Sequence, residues 1–264
     1  MTQKVCVAVG QFTPLMSQPE KNADLAAELA AGASEMGAKF ILFPEMCITG
    51  ADKESLDLRP TAIPPDHPAV RRLQDAAREH GIAICAGFIE KAARGCYNTQ
   101  AVALPDGTLA SQHKAVAPKV KGWLVERRRT IINVGALRVG LIICADSAQR
   151  GLYEEVMRRG ANIICHPSAG YEWETSGKDE VDEAKLREVA DHWAACLRRA
   201  QKRACELGVA YLVSNPVGRG HGVLWPGNGG IIDRDGSVRA WLPGEACAER
   251  MRPAFVVADV TAGD

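Results

Sequence analysis

The feature that most constrains this chain is a series of short apolar runs, rich in valine and isoleucine, that alternate with longer amphipathic stretches. Such runs are typical of buried strands, and stretches with a helical period are typical of helices that cover a sheet. The predicted strands of this kind cover residues 4–9, 40–43, 82–89, 162–165, 209–214 and 255–259. The predicted helices cover 22–36, 66–80, 151–159 and 182–207. The pattern therefore predicts sheets with helices packed outside them.

Local signals indicate where two of the helices begin and end. Asn22 and Asp66 are predicted N-caps, because short polar side chains accept hydrogen bonds from the first backbone N–H groups of a helix. Gly81 directly follows the second helix, and glycine readily adopts the left-handed conformation that ends a helix. We therefore expect the second helix to stop at residue 80.

Turn residues predict strand pairs of a different kind. The hairpins run over residues 98–104 with 108–113, 131–134 with 137–144, and 230–233 with 238–242. Hairpins give antiparallel neighbours whereas strand–helix–strand units give parallel ones, so the α/β fold is predicted to contain mixed sheets. A four-layer α-β-β-α sandwich and a single open sheet both fit this pattern. With no low-complexity linker, residues 1–264 are expected to form one domain.

Composition limits the classes of function. Lys plus Arg and Asp plus Glu both number 32, so no bulk charge favours a nucleic acid or a membrane surface. The chain contains no run of 18 apolar residues, so no membrane-spanning helix is predicted. The first residues indicate a strand and not a signal peptide. Nine cysteines without a C-x-x-C pair disfavour a zinc site or a disulfide framework, so no metal is expected. Reduced thiols and a cytoplasmic location are the resulting expectations.

Three predicted strands end at residues that carry chemistry. Glu45 follows a buried strand, where a carboxylate in a partly apolar site can act as a general base. Lys114 ends a hairpin strand and can stabilise an oxyanion, and Cys144 ends an aliphatic run and can act as a nucleophile. Each also has an ordinary explanation, namely a surface ion pair, a solvated lysine or a buried structural thiol. Taken singly, the three residues leave both interpretations open.

Common templates for other enzymes are missing. The chain contains no G-x-S-x-G, H-E-x-x-H or P-loop sequence. The glycine-rich stretch at residues 227–230 precedes a predicted strand and not a helix. We therefore interpret this stretch as a tight turn and not as a phosphate-binding loop.

Taken in order, the segments resemble the nitrilase superfamily of carbon–nitrogen hydrolases over nearly the whole chain. The segments that carry the resemblance are VAVGQFTP, ILFPEMCITG, NTQAVALPDGTLASQHK, VGLIICAD and GNGGIIDRDGSV. The resemblance implies an αββα sandwich with two mixed β-sheets, no cofactor, and a homodimer or higher homo-oligomer. It also assigns Glu45 as general base, Lys114 as oxyanion stabiliser and Cys144 as nucleophile, the Glu-Lys-Cys triad of that family.

The resemblance also implies supporting residues. Glu126 lies in a segment similar to the one that carries a second glutamate in the family, and the backbone N–H of Ala145 would complete an oxyanion hole. An insertion at residues 168–185 contains Tyr171 and Trp173. We expect this insertion to be either a lid that contacts the substrate or a surface loop.

The residues after the nucleophile depart from the family pattern. Many relatives have an arginine where this chain has Ala148, and Arg150 is a candidate replacement. True nitrilases tend to have Trp-Glu after the cysteine, so Ala145-Asp146 favours the amidase-like branch. The resemblance therefore implies hydrolysis of a small linear amide through a thioester, with N-carbamoyl compounds or nitriles as alternatives. The alternative of another class is a non-catalytic binding module with a decayed site.

Overall fold

The computed structural model of this protein describes residues 3–50, 59–116, 122–170, 172–173, 183–220, 223–242 and 252–263. Its strands are β1 (Gln3–Gln11), β2 (Phe40–Leu42), β3 (Ala83–Ala92), β4 (Gly95–Ala103), β5 (Leu109–His113), β6 (Ile131–Val134), β7 (Leu137–Leu141), β8 (Ile163–Pro167), β9 (Glu172–Trp173), β10 (Ala210–Ser214), β11 (Val217–Gly220), β12 (Val223–Pro226), β13 (Gly229–Ile232), β14 (Val238–Leu242) and β15 (Ala254–Ala262). Its helices are α1 (Pro19–Glu35), α2 (Pro68–His80), α3 (Arg150–Arg158) and α4 (Glu183–Leu207).

Two six-stranded mixed sheets form the centre of the fold. The first has the order β15-β1-β2-β3-β4-β5, with β1, β2 and β3 parallel and the others antiparallel. The second has the order β14-β13-β10-β8-β7-β6, with β7, β8 and β10 parallel. The predicted mixed sheets are confirmed, and the alternative of one open sheet is wrong.

Three apolar cores hold the layers together. One core packs the alanine-rich face of α1 and the apolar face of α2 on the first sheet, and another packs α3 and α4 on the second sheet. The third core lies between the two sheets and joins side chains such as Val9 and Leu42 to Val139 and Leu212. Strands buried by a helix on one face and a sheet on the other have apolar side chains on both faces, which explains their continuous apolar runs. The predicted αββα sandwich is therefore confirmed.

Both predicted N-caps are wrong. Helix α1 begins at Pro19, before Asn22, because proline needs no N–H partner at the first helical position. The Asn22 amide instead bonds backbone atoms of Leu15 and Ile48 at 2.7–2.8 Å. The cap of α2 is His67 and not Asp66, since its Nδ1 accepts from Ala69 N at 3.2 Å. The predicted stop at Gly81 is confirmed by its left-handed backbone, with φ 62°.

A third sheet of three short strands was not predicted. It has the order β11-β12-β9 and pairs Glu172–Trp173 with the second strand of a hairpin. The turn predicted at residues 227–230 is confirmed, because Gly227 and Asn228 have φ values of 70° and 71° and β13 follows at once. Strand β7 ends at Leu141, three residues before Cys144, so the predicted nucleophile lies beyond the strand and not in it.

Candidate active site

The three predicted catalytic residues lie at strand ends of both sheets. Glu45 is in the turn after β2, and Lys114 directly follows β5 of the same sheet. Cys144 follows β7 of the second sheet and begins a short 3-10 helix, Cys144–Ala148. Strands β2 and β5 run in the same direction in the first sheet, so Glu45 and Lys114 lie at strand ends of the kind where α/β proteins place ligand sites.

Glu45 and Lys114 form a buried pair. Lys114 Nζ donates to Glu45 Oε1 at 2.6 Å, and Asn98 Nδ2 donates to the same oxygen at 2.7 Å. The two charged side chains are 1% and 12% exposed, so little solvent screens their attraction. Burial alone would lower the pKa of Lys114, but the Glu45 carboxylate and Cys144 outweigh it and raise the pKa. Lys114 is therefore a fixed positive charge at neutral pH.

Cys144 has a special backbone and an enclosed thiol. Its φ is 47°, in the left-handed region that residues with a side chain rarely adopt. Burial raises the pKa of the thiol, Glu45 raises it further, and Lys114 with the Ser168 hydroxyl and Ala169 N–H lowers it. The thiol is thus protonated at rest, and the charges of both Glu45 and Lys114 act on it.

Three buried thiols, Cys47, Cys85 and Cys165, have different neighbours. Burial raises the pKa of Cys47 and of Cys85 to about 12, and burial also raises the pKa of Cys165. A thiol held neutral in apolar surroundings is a structural residue.

Close backbone packing fixes the turn that carries Glu45. A Cβ atom on Gly87 of β3 would lie 2.4 Å from Met46 N and 2.9 Å from Glu45 Cα. Ile48 N also donates to Gly87 O at 2.9 Å, and Glu45 N donates to Ser168 O at 3.2 Å. The turn is therefore held by the first sheet and by the end of β8 in the second.

A buried aspartate that the sequence analysis did not select joins the lysine and cysteine segments. Asp146 Oδ1 accepts from Ala115 N at 3.0 Å and from Val116 N at 2.9 Å, directly after Lys114. Its Oδ2 lies 3.4 Å from Nη1 of Arg129, and both side chains of this ion pair are 0% exposed. The signal in the sequence for Asp146 was a charged residue soon after the aliphatic run of residues 140–143. Asp146 thereby fixes the distance between the two loops.

Glu126 lies beside the lysine through its backbone. Its N–H donates to Lys114 O at 3.2 Å, while its carboxylate oxygen lies 3.1 Å from His113 Nδ1. The Glu126 side chain is 43% exposed. Its catalytic role stays a prediction.

The remaining predicted residues have diverse positions. Ala145 lines, with Cys144, a cavity of about 550 Å³ between the second sheet and α3 and α4. Trp173 is in β9 and pairs with Val223, whereas Tyr171 and most of the insertion lie outside the described residues. Arg150 does not face the site, because its Nε lies 3.0 Å from Glu154 on the exposed face of α3.

The described residues contain no cluster of three or more His, Cys, Asp or Glu side chains with the geometry of a metal site. Among the described residues, no helix has the length and hydropathy needed to cross a bilayer.

The two-sheet sandwich and the buried Glu45–Lys114 pair at its strand ends agree with the resemblance to the carbon–nitrogen hydrolases. The family model described as carbon-nitrogen hydrolase matches residues 6–246, and the chain belongs to this family. The resemblance to the nitrilase superfamily is thereby confirmed.

Relatives and structural neighbours agree with this assignment. A nitrilase of Pyrococcus abyssi is 28% identical over 169 residues, which are 62% of this chain and 64% of that protein. A glutamine-dependent NAD(+) synthetase of Xylella fastidiosa is 27% identical over 249 residues, and these are 90% of this chain but 42% of the synthetase. The chain thus spans less than two thirds of either relative.

An amidase from Nesterenkonia sp. has the same fold, with a TM-score of 0.74 and 23% identity over 97% of this chain and 89% of that one. A carbon–nitrogen hydrolase superfamily protein from Xanthomonas campestris has a TM-score of 0.77 and 18% identity over 98% and 91%. At these identities, the two structures establish the fold.

Proposed function

We propose that this protein hydrolyses the C–N bond of a small linear amide, with Cys144 as the nucleophile. The observation that carries the proposal is the buried contact of 2.6 Å between Lys114 Nζ and Glu45 Oε1 beside the Cys144 thiol. A base, a fixed cation and a protonated thiol are the three groups that covalent amide hydrolysis requires.

The acylation half of the reaction follows from these positions. Glu45 takes the thiol proton as the Cys144 sulfur forms a bond to the amide carbon, which places negative charge on the former carbonyl oxygen. Lys114 and the Ala145 N–H stabilise this oxyanion, a contribution of about 3–4 kcal/mol for one comparable donor. The C–N bond then breaks, and Glu45 returns its proton to the leaving ammonia or amine.

Deacylation uses the same groups in a second cycle. Glu45 removes a proton from water, and the resulting hydroxide attacks the thioester carbon. Lys114 again stabilises the oxyanion, the C–S bond breaks, and the Cys144 thiolate regains its proton from Glu45. The products are the free acid and the starting enzyme, so atoms and charge balance.

An amide substrate is favoured over the alternatives by the Ala145-Asp146 sequence after the nucleophile. The fold shared with the Nesterenkonia amidase supports the same choice. The nitrilase and glutamine-dependent relatives make nitriles and glutamine necessary members of a test panel. N-carbamoyl amino acids complete it.

Ammonia release from this panel tests the proposal. We expect release from at least one amide, loss of more than about 1,000-fold in Cys144→Ala, and unchanged release in Cys205→Ala, whose thiol is exposed. Glu45→Gln, which lacks the base of both half-reactions, should lose ammonia release as well. Release that survives Cys144→Ala would refute the proposed mechanism.

A different pattern would support the binding-module alternative. It would combine no release from any compound with alkylation of Cys144 by iodoacetamide that is slower than that of Cys205. The comparison is internal, because both thiols react in one sample and are distinguished by peptide mass spectrometry.

A further inference from the structure

A buried asparagine contacts both members of the Glu45–Lys114 pair. Asn98 Nδ2 donates to Glu45 Oε1 at 2.7 Å, and the backbone oxygen of Asn98 accepts from Lys114 N at 2.8 Å. Asn98 is 6% exposed, so both contacts lie away from solvent. The proposed reaction assigns no role to this residue.

The order of the strands explains how Asn98 reaches both residues. Strand β4, which contains Asn98, lies between β3 and β5, and Lys114 directly follows β5. Glu45 belongs to the turn after β2 and reaches β4 across β3. Strand β3 has Gly87 at this crossing, where a Cβ atom would lie 2.9 Å from Glu45 Cα. Asn98 thus belongs to a strand that is paired on both sides and not to a loop.

Two donors from different strands meet at one carboxylate oxygen. Glu45 Oε1 accepts from Lys114 Nζ at 2.6 Å and from Asn98 Nδ2 at 2.7 Å. An ionised carboxylate only accepts hydrogen bonds, so the amide atom that contacts it is the nitrogen. The long lysine side chain has more conformational freedom than the short asparagine side chain. The asparagine therefore restricts the position of the carboxylate more closely than the lysine does.

The other polar atom of the Asn98 side chain indicates that stability does not explain the residue. Among the described residues, the side-chain oxygen of Asn98 has no hydrogen-bond partner. A buried acceptor without a partner lowers stability, and an apolar side chain of similar size would remove this loss. The contact with Glu45 is therefore the reason that we consider for an asparagine at this position.

The proposed reaction needs a group that holds Glu45 while Lys114 changes partners. Lys114 contacts Glu45 in the described structure, and it donates to the oxyanion in each tetrahedral intermediate. Asn98 has no contact with the oxyanion to make, so its hydrogen bond to Glu45 can persist. Glu45 takes part in every proton transfer, and a misplacement of about 1 Å in such a group lowers the rate by about 100-fold.

We propose that Asn98 is a positioning residue that holds the Glu45 carboxylate in place for its proton transfers while Lys114 binds the oxyanion. This inference rests on the proposed function. It adds to the site a central strand of the first sheet, β4, which carries none of the three predicted catalytic residues.

Two substitutions of Asn98 test the proposal. Asn98→Leu removes the amide at similar size, and Asn98→Asp keeps the shape but replaces the donor with a second carboxylate that repels Glu45. We expect each variant to lower kcat by about 10–100-fold at pH 8, with a change in KM of less than about threefold. Unchanged kcat in Asn98→Leu, or in Asn98→Asp if the leucine variant does not fold, would overturn the proposal.

The pH profile separates positioning from general damage. The acidic limb of kcat/KM reports protonation of the essential base in the free enzyme. A carboxylate that loses a donor is easier to protonate, so this limb should move to higher pH by at least about half a pH unit in Asn98→Leu. The charge of Glu45 also acts on Lys114, Cys144 and His166, and the variant retains all three. An acidic limb that stays in place would contradict the positioning role.

A second buried asparagine provides the matched control. Asn162, directly before β8, is 2% exposed, and its side chain makes hydrogen bonds of 2.7–3.0 Å with backbone atoms of Arg138, Ala136 and Gly263. Asn162→Leu should lower the melting temperature by about 5–10 °C and keep kcat within about threefold. Asn98→Leu should keep the melting temperature within about 3 °C. Equal losses of melting temperature in the two variants would show that Asn98 supports the fold, which would overturn the proposal.

A readout without activity separates this inference from the proposed function. In ¹⁵N-labelled protein, the side-chain N–H₂ signals of Asn98 are assigned by their loss in Asn98→Leu. These signals should shift in Glu45→Gln, because the carboxylate that accepts from them is gone. A wild type that shows this shift but hydrolyses no compound of the panel would refute the proposed function. An active wild type whose Asn98 signals do not respond to Glu45→Gln would refute the role of Asn98 alone.

Discussion

The residue that precedes Lys114, the proposed oxyanion stabiliser, is a histidine that lies between two carboxylates. His113 Nε2 lies 3.3 Å from Glu90 and its Nδ1 lies 3.1 Å from Glu126, while its ring stacks on Tyr97 with 4.0 Å between centroids. Only a protonated ring donates through both nitrogens. Burial alone would lower the pKa of His113, but Glu90 and Glu126 outweigh it and raise the pKa.

The raised pKa predicts a stability that depends on pH. A histidine with a raised pKa in the folded state contributes fully below its unfolded pKa of about 6.5, and the contribution is lost as pH rises through the folded value. His113→Gln should therefore lower the free energy of unfolding by about 1–3 kcal/mol at pH 6. The difference should shrink by pH 9, as measured by urea unfolding.

A surface variant serves as the control for this measurement. Glu154→Gln breaks an exposed pair with Arg150, so its effect should stay below about 1 kcal/mol at each pH. Burial alone would raise the pKa of Glu90, but its contact with His113 outweighs burial and lowers the pKa. The stability that Glu90 contributes is therefore lost in the acidic range, as pH falls through its folded pKa. If His113→Gln lowered the free energy of unfolding equally at pH 6 and pH 9, this would contradict a protonated His113 between Glu90 and Glu126.

Single residues of the site differ in how far sequence could predict them. Glu45, Lys114 and Cys144 each follow a recognisable strand, so their positions could be predicted. Asn98 could not, because its partner Glu45 is 53 positions away and is brought near it by the order of the strands in the first sheet. Asn22 and Asp66 had suitable cap chemistry, but Pro19 and His67 occupy the positions that geometry selects.

At the scale of the element, the turn after β2 depends on a neighbour without a side chain. Gly87 of β3 lets the Glu45 backbone approach, and its own oxygen accepts from Ile48 N at 2.9 Å. A Cβ at this position would also lie 2.6 Å from Gln100 Oε1. Since two of its close contacts are backbone atoms, the turn itself would have to move.

Gly87→Ala is therefore expected to displace Glu45, the proposed general base. We predict a loss of about 1–3 kcal/mol in the free energy of unfolding from overpacking, and a fall in kcat of at least about tenfold. Gly151→Ala is the matched control, since a Cβ there meets nothing within 4 Å and alanine favours the helix it joins. Equal kcat values in both variants would show that Gly87 does not position Glu45.

Among elements, length and apolar content decided what could be predicted. The strands of the two large sheets read as apolar runs because both of their faces are covered. The third sheet gave no such signal, since β11 has the sequence VGRG and β9 has two residues. Strands this short are specified by their partners and not by their own pattern.

At the scale of the whole molecule, the candidate site depends on how the two sheets are stacked, because each sheet contributes part of it. Glu45 and Lys114 come from the first sheet and Cys144 from the second. Besides the apolar core between the sheets, Asp146 connects them, because it follows the nucleophile and accepts from the backbone after Lys114. Loss of this connection should therefore affect both stability and catalysis.

Asp146→Asn tests that coupling. The variant keeps the side-chain shape but leaves the Arg129 guanidinium, which is 0% exposed, without its carboxylate. We expect a loss of about 3–5 kcal/mol in the free energy of unfolding, measured by urea denaturation. We also expect kcat to fall by at least about tenfold, because Lys114 loses the anchor of its loop.

The control and the double variant show which part of the loss is coupling. Asp24→Asn removes an exposed carboxylate that lies 2.9 Å from Arg72, so it should cost less than about 1 kcal/mol and leave kcat unchanged. Arg129→Gln combined with Asp146→Asn should recover part of the stability, because the unpaired buried charge is gone. It should not recover kcat, since the hydrogen bonds that Ala115 N and Val116 N donate to the side chain of residue 146 remain weakened. If kcat returned together with stability, Asp146 would act only as a partner for Arg129. The relative position of the segments that carry Lys114 and Cys144 would then have to be set by the apolar core alone.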